Sequence, residues 1–151
     1  MTEGLRTMAV AALAVAAAFT WQSIRTASIA VSSPERLIWE LRLSQFAAVL
    51  LTLGAGAYIG FAVAHEARLG SGLEIALALV FLGTSGVALV REPRQALTIL
   101  ALAFAAHALL DVAHRPGLLP EGMAPRWYAI GCAVFDLYIG ALCYLPLLRR
   151  R

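Results

Sequence analysis

The 151 residues carry only 14% charged side chains against 61% hydrophobic ones, and the mean hydropathy is +0.79. A soluble domain holds about 25% charged residues, so composition excludes a soluble globular protein and points to an integral membrane bundle built from the whole chain. The net charge of +3 comes from twelve basic residues, all arginine. These cluster at predicted helix ends and in the tail Arg149-Arg150-Arg151, which reads as a topology signal and argues against nucleic-acid binding.

The apolar runs predict an all-α fold, a polytopic helical bundle of about five transmembrane helices. The spans fall at about 8–24, 46–65, 73–90, 96–114 and 127–148, each long enough for a hydrocarbon core of ~30 Å. Apart from the first, the connections are short, so neighbouring helices are expected to pack antiparallel.

The first span, from Met8 to Ile24, is rich in Ala and Val and has Trp21 near one interface. A rival reading is a cleaved signal peptide, with Ser28-Ile29-Ala30 as the small-residue cleavage site. Arginine counting favours a retained helix. Arg6, Arg68, Arg115 and Arg126 fall on one side, and Arg25, Arg36, Arg42, Arg91, Arg94 and the terminal three on the other. The excess places the N-terminus outside and the C-terminus in the cytoplasm, in a cell (inner) membrane. Arg25, near the inner end, is expected to snorkel.

Ser32-Ser33-Pro34-Glu35 carries the signals of a helix start: serine, proline in the first turn, an early acid. The following RLIWELRL, about 34–44, is expected to lie along the interface or extend the second span. An Arg36–Glu40 pair there would stabilise it only slightly. On the second span, Thr52, Gly56, Gly60 and Ala64 form a stripe of small residues that admits a close neighbour. Packing within the same bundle is the simpler reading; a homo-oligomer or membrane partner docked through Gly56, Gly60 and Ala64 is the other.

The fourth span ends in AFAAHALLDVAHRPG, placing His107, Asp111 and His114 at i, i+4 and i+7. At ~100° per residue they share one helix face. Ionisable residues at membrane depth cost about 2.5–3.5 kcal/mol even on lenient insertion scales, which marks them as functional candidates. Counting ~1.5 Å per residue puts His107 ~10 Å below His114 and Asp136, on the fifth span, at comparable depth. Tyr128, Cys132 and Asp136 recur every fourth residue and so share a face. His65-Glu66 ends the second span on the same side, so all three histidines gather in the outer half with Glu66, Asp111 and Asp136.

Imidazoles with carboxylates suit a divalent metal, zinc or iron, and thiolate from Cys132 would favour zinc. The candidate metal ligands are His107, Asp111, His114 and Asp136; Asp136 and Glu66 are the candidate catalytic acids. Three ligands from one helix would have to reach one ion across ~10 Å of rise, so a pair such as His107 with Asp111, completed from another helix, is easier.

Each residue also has a plainer use. His114 suits a helix C-terminus, His65-Glu66 an interfacial pair, and His107 with Asp111 a buried contact holding the bundle together. Trp127 and Tyr128 suit an aromatic belt. Cys132 and Cys143 suit small packing positions; ~16 Å apart along one helix, they cannot bridge each other. Pro146 is expected to kink the last helix. The proline-rich loop RPGLLPEGMAPR could cap the cluster, with Glu121 solvated.

In residue types, helices four and five resemble membrane hydrolases of the alkaline ceramidase and adiponectin-receptor type, which place His and Asp around an intramembrane zinc. Their seven-helix arrangement and motif spacing are not present here, so no residue carries over and no family is assigned. Three functions are open from sequence: a metal-binding or metal-dependent hydrolytic membrane protein, a structural or assembly subunit, and a proton- or cation-translocating helper.

Overall fold

The computed structural model describes residues 3–64, 71–114 and 124–148. They form five helices in chain order: α1 (Glu3–Ser28), α2 (Pro34–Ala64), α3 (Ser71–Leu89), α4 (Pro93–Ala113) and α5 (Arg126–Leu148). All five are long and apolar enough to cross a membrane. Their outward faces carry bare hydrocarbon, with Leu109 71% exposed, Leu13 70% and Leu102 68%. Large apolar surfaces of this kind belong against lipid, and the bundle is that of a multi-pass membrane protein.

α2 is the hub and touches each of the other four helices, while α1 touches only α2 and α5 among the described residues. The segment 34–44, expected along the interface or as an extension of the span, is the first third of α2. Arg36, Glu40, Leu43, Ala47, Leu51, Ala55, Tyr58 and Ala62 are all buried at spacings of three and four. One inward face therefore runs the length of the helix, and its two charged residues turn toward protein.

The contribution expected of Arg36 and Glu40 needs correction for the same reason. Their side chains are 3% exposed and joined by a 2.8 Å ion pair. Glu40 also holds Arg94 at 3.0 Å. Arg36 donates to the carbonyls of Ile29 at 2.6 Å and Pro146 at 2.7 Å. The set ties the end of α1 and the starts of α2 and α4 to the end of α5. Arg25 stays near its interface, 3.4 Å from Glu35 and over the Trp39 ring.

Pro146 lies inside the continuous helix α5. Lacking an N–H, it leaves the Leu142 carbonyl without its usual helical donor, and Ser23 Oγ of α1 donates to that oxygen at 2.6 Å. Phe19 of α1 is fully buried nearby. Removing α1 at a cleavage site would unpair the Leu142 carbonyl and uncover the surface Phe19 fills.

Every buried residue of α1 lies from Phe19 onward. Residues 9–18 are Ala or Val at every position but Leu13, and a cleft lies between the first half of α1, α2 and α5.

The stripe Thr52, Gly56, Gly60, Ala64 is exposed along its length. A Cβ built at Gly56 or Gly60 meets nothing within 4 Å. The small residues therefore do not serve packing inside the bundle, as the simpler reading had it. The close approach occurs at Gly140, where a Cβ would lie 3.2 Å from the Ala101 carbonyl oxygen and 3.3 Å from Phe104 Cβ. A glycine here lets α5 lie against the α4 backbone, one turn from the residues considered next.

Candidate metal centre

On α4 the buried positions Ala103, Phe104, His107, Ala108 and Asp111 make one stripe, and on α5 Ala129, Ala133, Asp136, Ile139, Gly140 and Cys143 make another. The contact at Gly140 turns these stripes together. His107 Nδ1 sits 2.6 Å from Asp136 Oδ2 and 3.7 Å from Asp111 Oδ2. Each of the three residues offers a ligand atom, and these atoms all lie within 4.8 Å of one another. All three are buried, at 5%, 4% and 7% exposure for His107, Asp111 and Asp136.

Tyr58 of α2 fixes the trio from the side. Its hydroxyl donates to Asp111 Oδ1 at 2.5 Å, leaving Asp111 Oδ2 buried and without a hydrogen-bond partner. The Tyr58 ring stands edge-on to His107 and stacks on His114, both at 5.6 Å between centroids. Phe81 of α3 closes another side, edge-on to His107 at 4.7 Å. The wall is therefore aromatic and the polar atoms point at one another.

His114 takes a different place. It caps α4, its backbone N–H bonding Leu110 O. Its Nδ1 lies 2.7 Å from the same carbonyl and its Nε2 2.8 Å from Glu74 Oε1 of α3. A carbonyl only accepts, so Nδ1 donates and a proton is shared between Nε2 and Glu74. The side chain is thus engaged at the helix end, across the Tyr58 ring from the trio. His65 and Glu66 lie outside the described residues, as do the loop 115–123 and Glu121 within it.

Tyr128, expected in an interfacial belt, is instead 7% exposed, with Phe61 at 4.9 Å and Tyr58 at 6.0 Å between ring centroids. Trp127 is 41% exposed. Cys132 and Cys143 are both free thiols.

Two cavities meet at His107. One, of about 20 Å³, is lined by Tyr58, Glu74, Phe81, His107, Asp111 and His114 among others, space for about one water. The other, of about 380 Å³, is the cleft between α1, α2 and α5, and His107, Cys132 and Asp136 are among the few polar groups on its apolar wall.

Sequence reasoning passed over Tyr58 and Glu74. Tyr58 had a signal: two residues from Gly56 and Gly60, it lies ~200° around the helix from the small-residue stripe, so an outward stripe implies an inward tyrosine. Glu74 had a weaker one, an acid at the start of the third span on the same side as the histidines. No family model, curated protein or solved structure matches this chain.

Proposed function

We propose that His107, Asp111 and Asp136 hold one divalent metal ion, zinc or iron, and that the protein is a metal-dependent membrane enzyme with hydrolytic chemistry. The observation that carries this is the gathering of three ligand-type side chains from two helices within 4.8 Å, one of them keeping a buried, unpartnered oxygen. Charge supports it. Two ionised carboxylates with a protonated imidazole leave one negative charge in a low-dielectric interior, whereas a divalent cation with neutral imidazole leaves none.

The site needs adjustment in both directions. Ligand atoms around a tetrahedral ion at ~2.0–2.1 Å stand ~3.3 Å apart, so the 2.6 Å His107–Asp136 contact must open by under ~1 Å, the 3.7 Å His107–Asp111 separation must close slightly, and the widest separation, up to 4.8 Å, must close by about 1.5 Å. Ion uptake then expels the shared proton. Three protein ligands leave a fourth position for water, whose pKa a divalent ion lowers toward neutrality. Tyr58 keeps Asp111 oriented, and the Glu74–His114 pair, lining the same small cavity, is placed to take a proton. Asp136, expected from sequence as either a catalytic acid or a ligand, acts in this reading as a ligand. We place the site in the outer half of a cell membrane, with the arginine-rich end cytoplasmic.

Elemental analysis of detergent-purified protein tests the reading. About one equivalent of metal is expected, lost in His107→Ala and in Asp136→Asn. Sub-stoichiometric metal unchanged by either substitution refutes it. The outward stripe Gly56, Gly60, Ala64 favours a second reading, an assembly subunit docked through that face. A stoichiometric partner or dimer that dissociates on Gly60→Leu would support it, and a monomer with no partner would dismiss it.

A further inference from the structure

The cleft holds information about what reaches the metal site. Its walls are Leu5, Met8 and Val15 of α1, Leu50 and Leu53 of α2 and Phe135 of α5, among others, and the buried His107 and Asp136 contribute to its lining. The volume of about 380 Å³ falls in the range of small-molecule pockets, about 300–1,000 Å³. Because no residue before Phe19 in α1 is buried, that wall stands against the hydrocarbon of the bilayer and a lipophilic molecule has a sideways route in.

Depth narrows the ligand further. Asp136 lies ten residues into α5, ~15 Å along its axis, about the midplane of a ~30 Å hydrocarbon core. A phospholipid keeps its charged headgroup and ester linkages at the interface, so in this cleft it would offer His107 and Asp136 only mid-chain methylenes. A charged group brought to the midplane meets the same penalty that makes intramembrane acids rare. A neutral hydroxyl or carbonyl crosses that distance at lower cost and finds in His107 and Asp136 the hydrogen-bonding partners it gave up in water.

We infer that the cleft receives an uncharged long-chain molecule from the bilayer, with its hydroxyl or carbonyl group seated at His107 and Asp136. This names the substrate class for the proposed metal site and rests on that reading for its chemistry, though not for its binding.

The test is photolabelling of the full chain in phosphatidylcholine vesicles, using a long-chain alcohol that carries a mid-chain diazirine. Labels are expected on the cleft residues Val15, Leu53 and Phe135. Excess unlabelled long-chain alcohol should suppress them, and a lysophosphatidylcholine of equal chain length should not. A Cβ at Gly131 meets nothing within 4 Å, so Gly131→Leu intrudes on the cleft without displacing its neighbours, and Ala12→Phe does so from the opposite wall. Excluding about two methylenes from the cleft weakens binding about tenfold, read as the same loss of labelling in each variant that still elutes as wild type. The inference is overturned by labels spread evenly over lipid-facing residues such as Val80 and Leu109, by equal protection from the lysolipid, or by undiminished labelling in both variants. Metal content measured on the same samples separates the two claims. Metal without cleft labelling removes this inference alone, and cleft labelling without metal removes the metal site alone.

Discussion

Two clusters of buried charge stand at different depths in this bundle, and they are built on different terms. At the arginine-rich end, Glu40 is shared by Arg36 and Arg94, and the remaining Arg36 donors reach the Ile29 and Pro146 carbonyls. No large cavity adjoins it among those described. In the other cluster, two carboxylates share one imidazole, an Asp111 oxygen has no hydrogen-bond partner, and two cavities converge on His107. Arg36 and Glu40 are as deeply buried as the trio, while Arg94 reaches in from the surface. What separates a structural lock from a candidate site is incomplete satisfaction next to space that a ligand can fill.

Substitutions should separate the clusters sharply. The largest effect expected is on metal: His107→Ala removes a ligand from two helices' shared centre and abolishes stoichiometric binding, measured by elemental analysis of the folded fraction. Glu40→Ala should leave metal alone. It leaves Arg36 buried without its counter-charge, a loss of about 3–5 kcal/mol, seen as a much lower unfolding temperature with metal content kept in the folded fraction. If Glu40→Ala instead strips metal at unchanged stability, the division between lock and site fails.

Smaller effects refine the picture. Tyr58→Phe keeps the ring but frees Asp111 Oδ1, and loss of such an orienting hydrogen bond lowers metal affinity about 10–100-fold, measurable by chelator competition. Metal uptake expels the proton held between His107 and Asp136, so affinity should rise with pH and fall on acidification. A pH-independent affinity would mean the ion binds elsewhere. Smallest is Ser23→Ala, which unpairs the Leu142 carbonyl at about 1 kcal/mol. In a Pro146→Ala background, where the helix can supply its own N–H to that carbonyl, the same substitution should cost almost nothing, and a double-mutant cycle reads the difference.

How far the site was legible in sequence depends on which geometric variable each residue needs. The i, i+4 spacing is enough to place His107 and Asp111 on one face, and counting rise per residue matches Asp136 to His107 in depth. Neither quantity sets the rotation of one helix against the next. That rotation is fixed by Gly140 against Ala101 and Phe104, a packing detail that no periodicity in the chain announces. His114 shares the face of His107 and Asp111 by spacing, yet it sits at the helix end, where the Leu110 carbonyl and Glu74 claim both of its nitrogens. Arg36 and Glu40 mislead in the other direction. Among the charged and apolar residues of RLIWELRL they suggest an interfacial helix, and only the arrival of Arg94 and Pro146 from distant sequence, with the nearby Ile29 carbonyl, makes their burial tolerable.

X-ray absorption at the metal edge of the purified, metal-replete protein tests the central claim most directly. The account predicts a first shell of nitrogen and oxygen only, at about 2.0–2.2 Å for zinc, with an imidazole scattering signature that any residual metal in His107→Ala lacks. A sulfur shell at about 2.3 Å, which would place the ion on a cysteine, or a spectrum unchanged by that substitution, would contradict it.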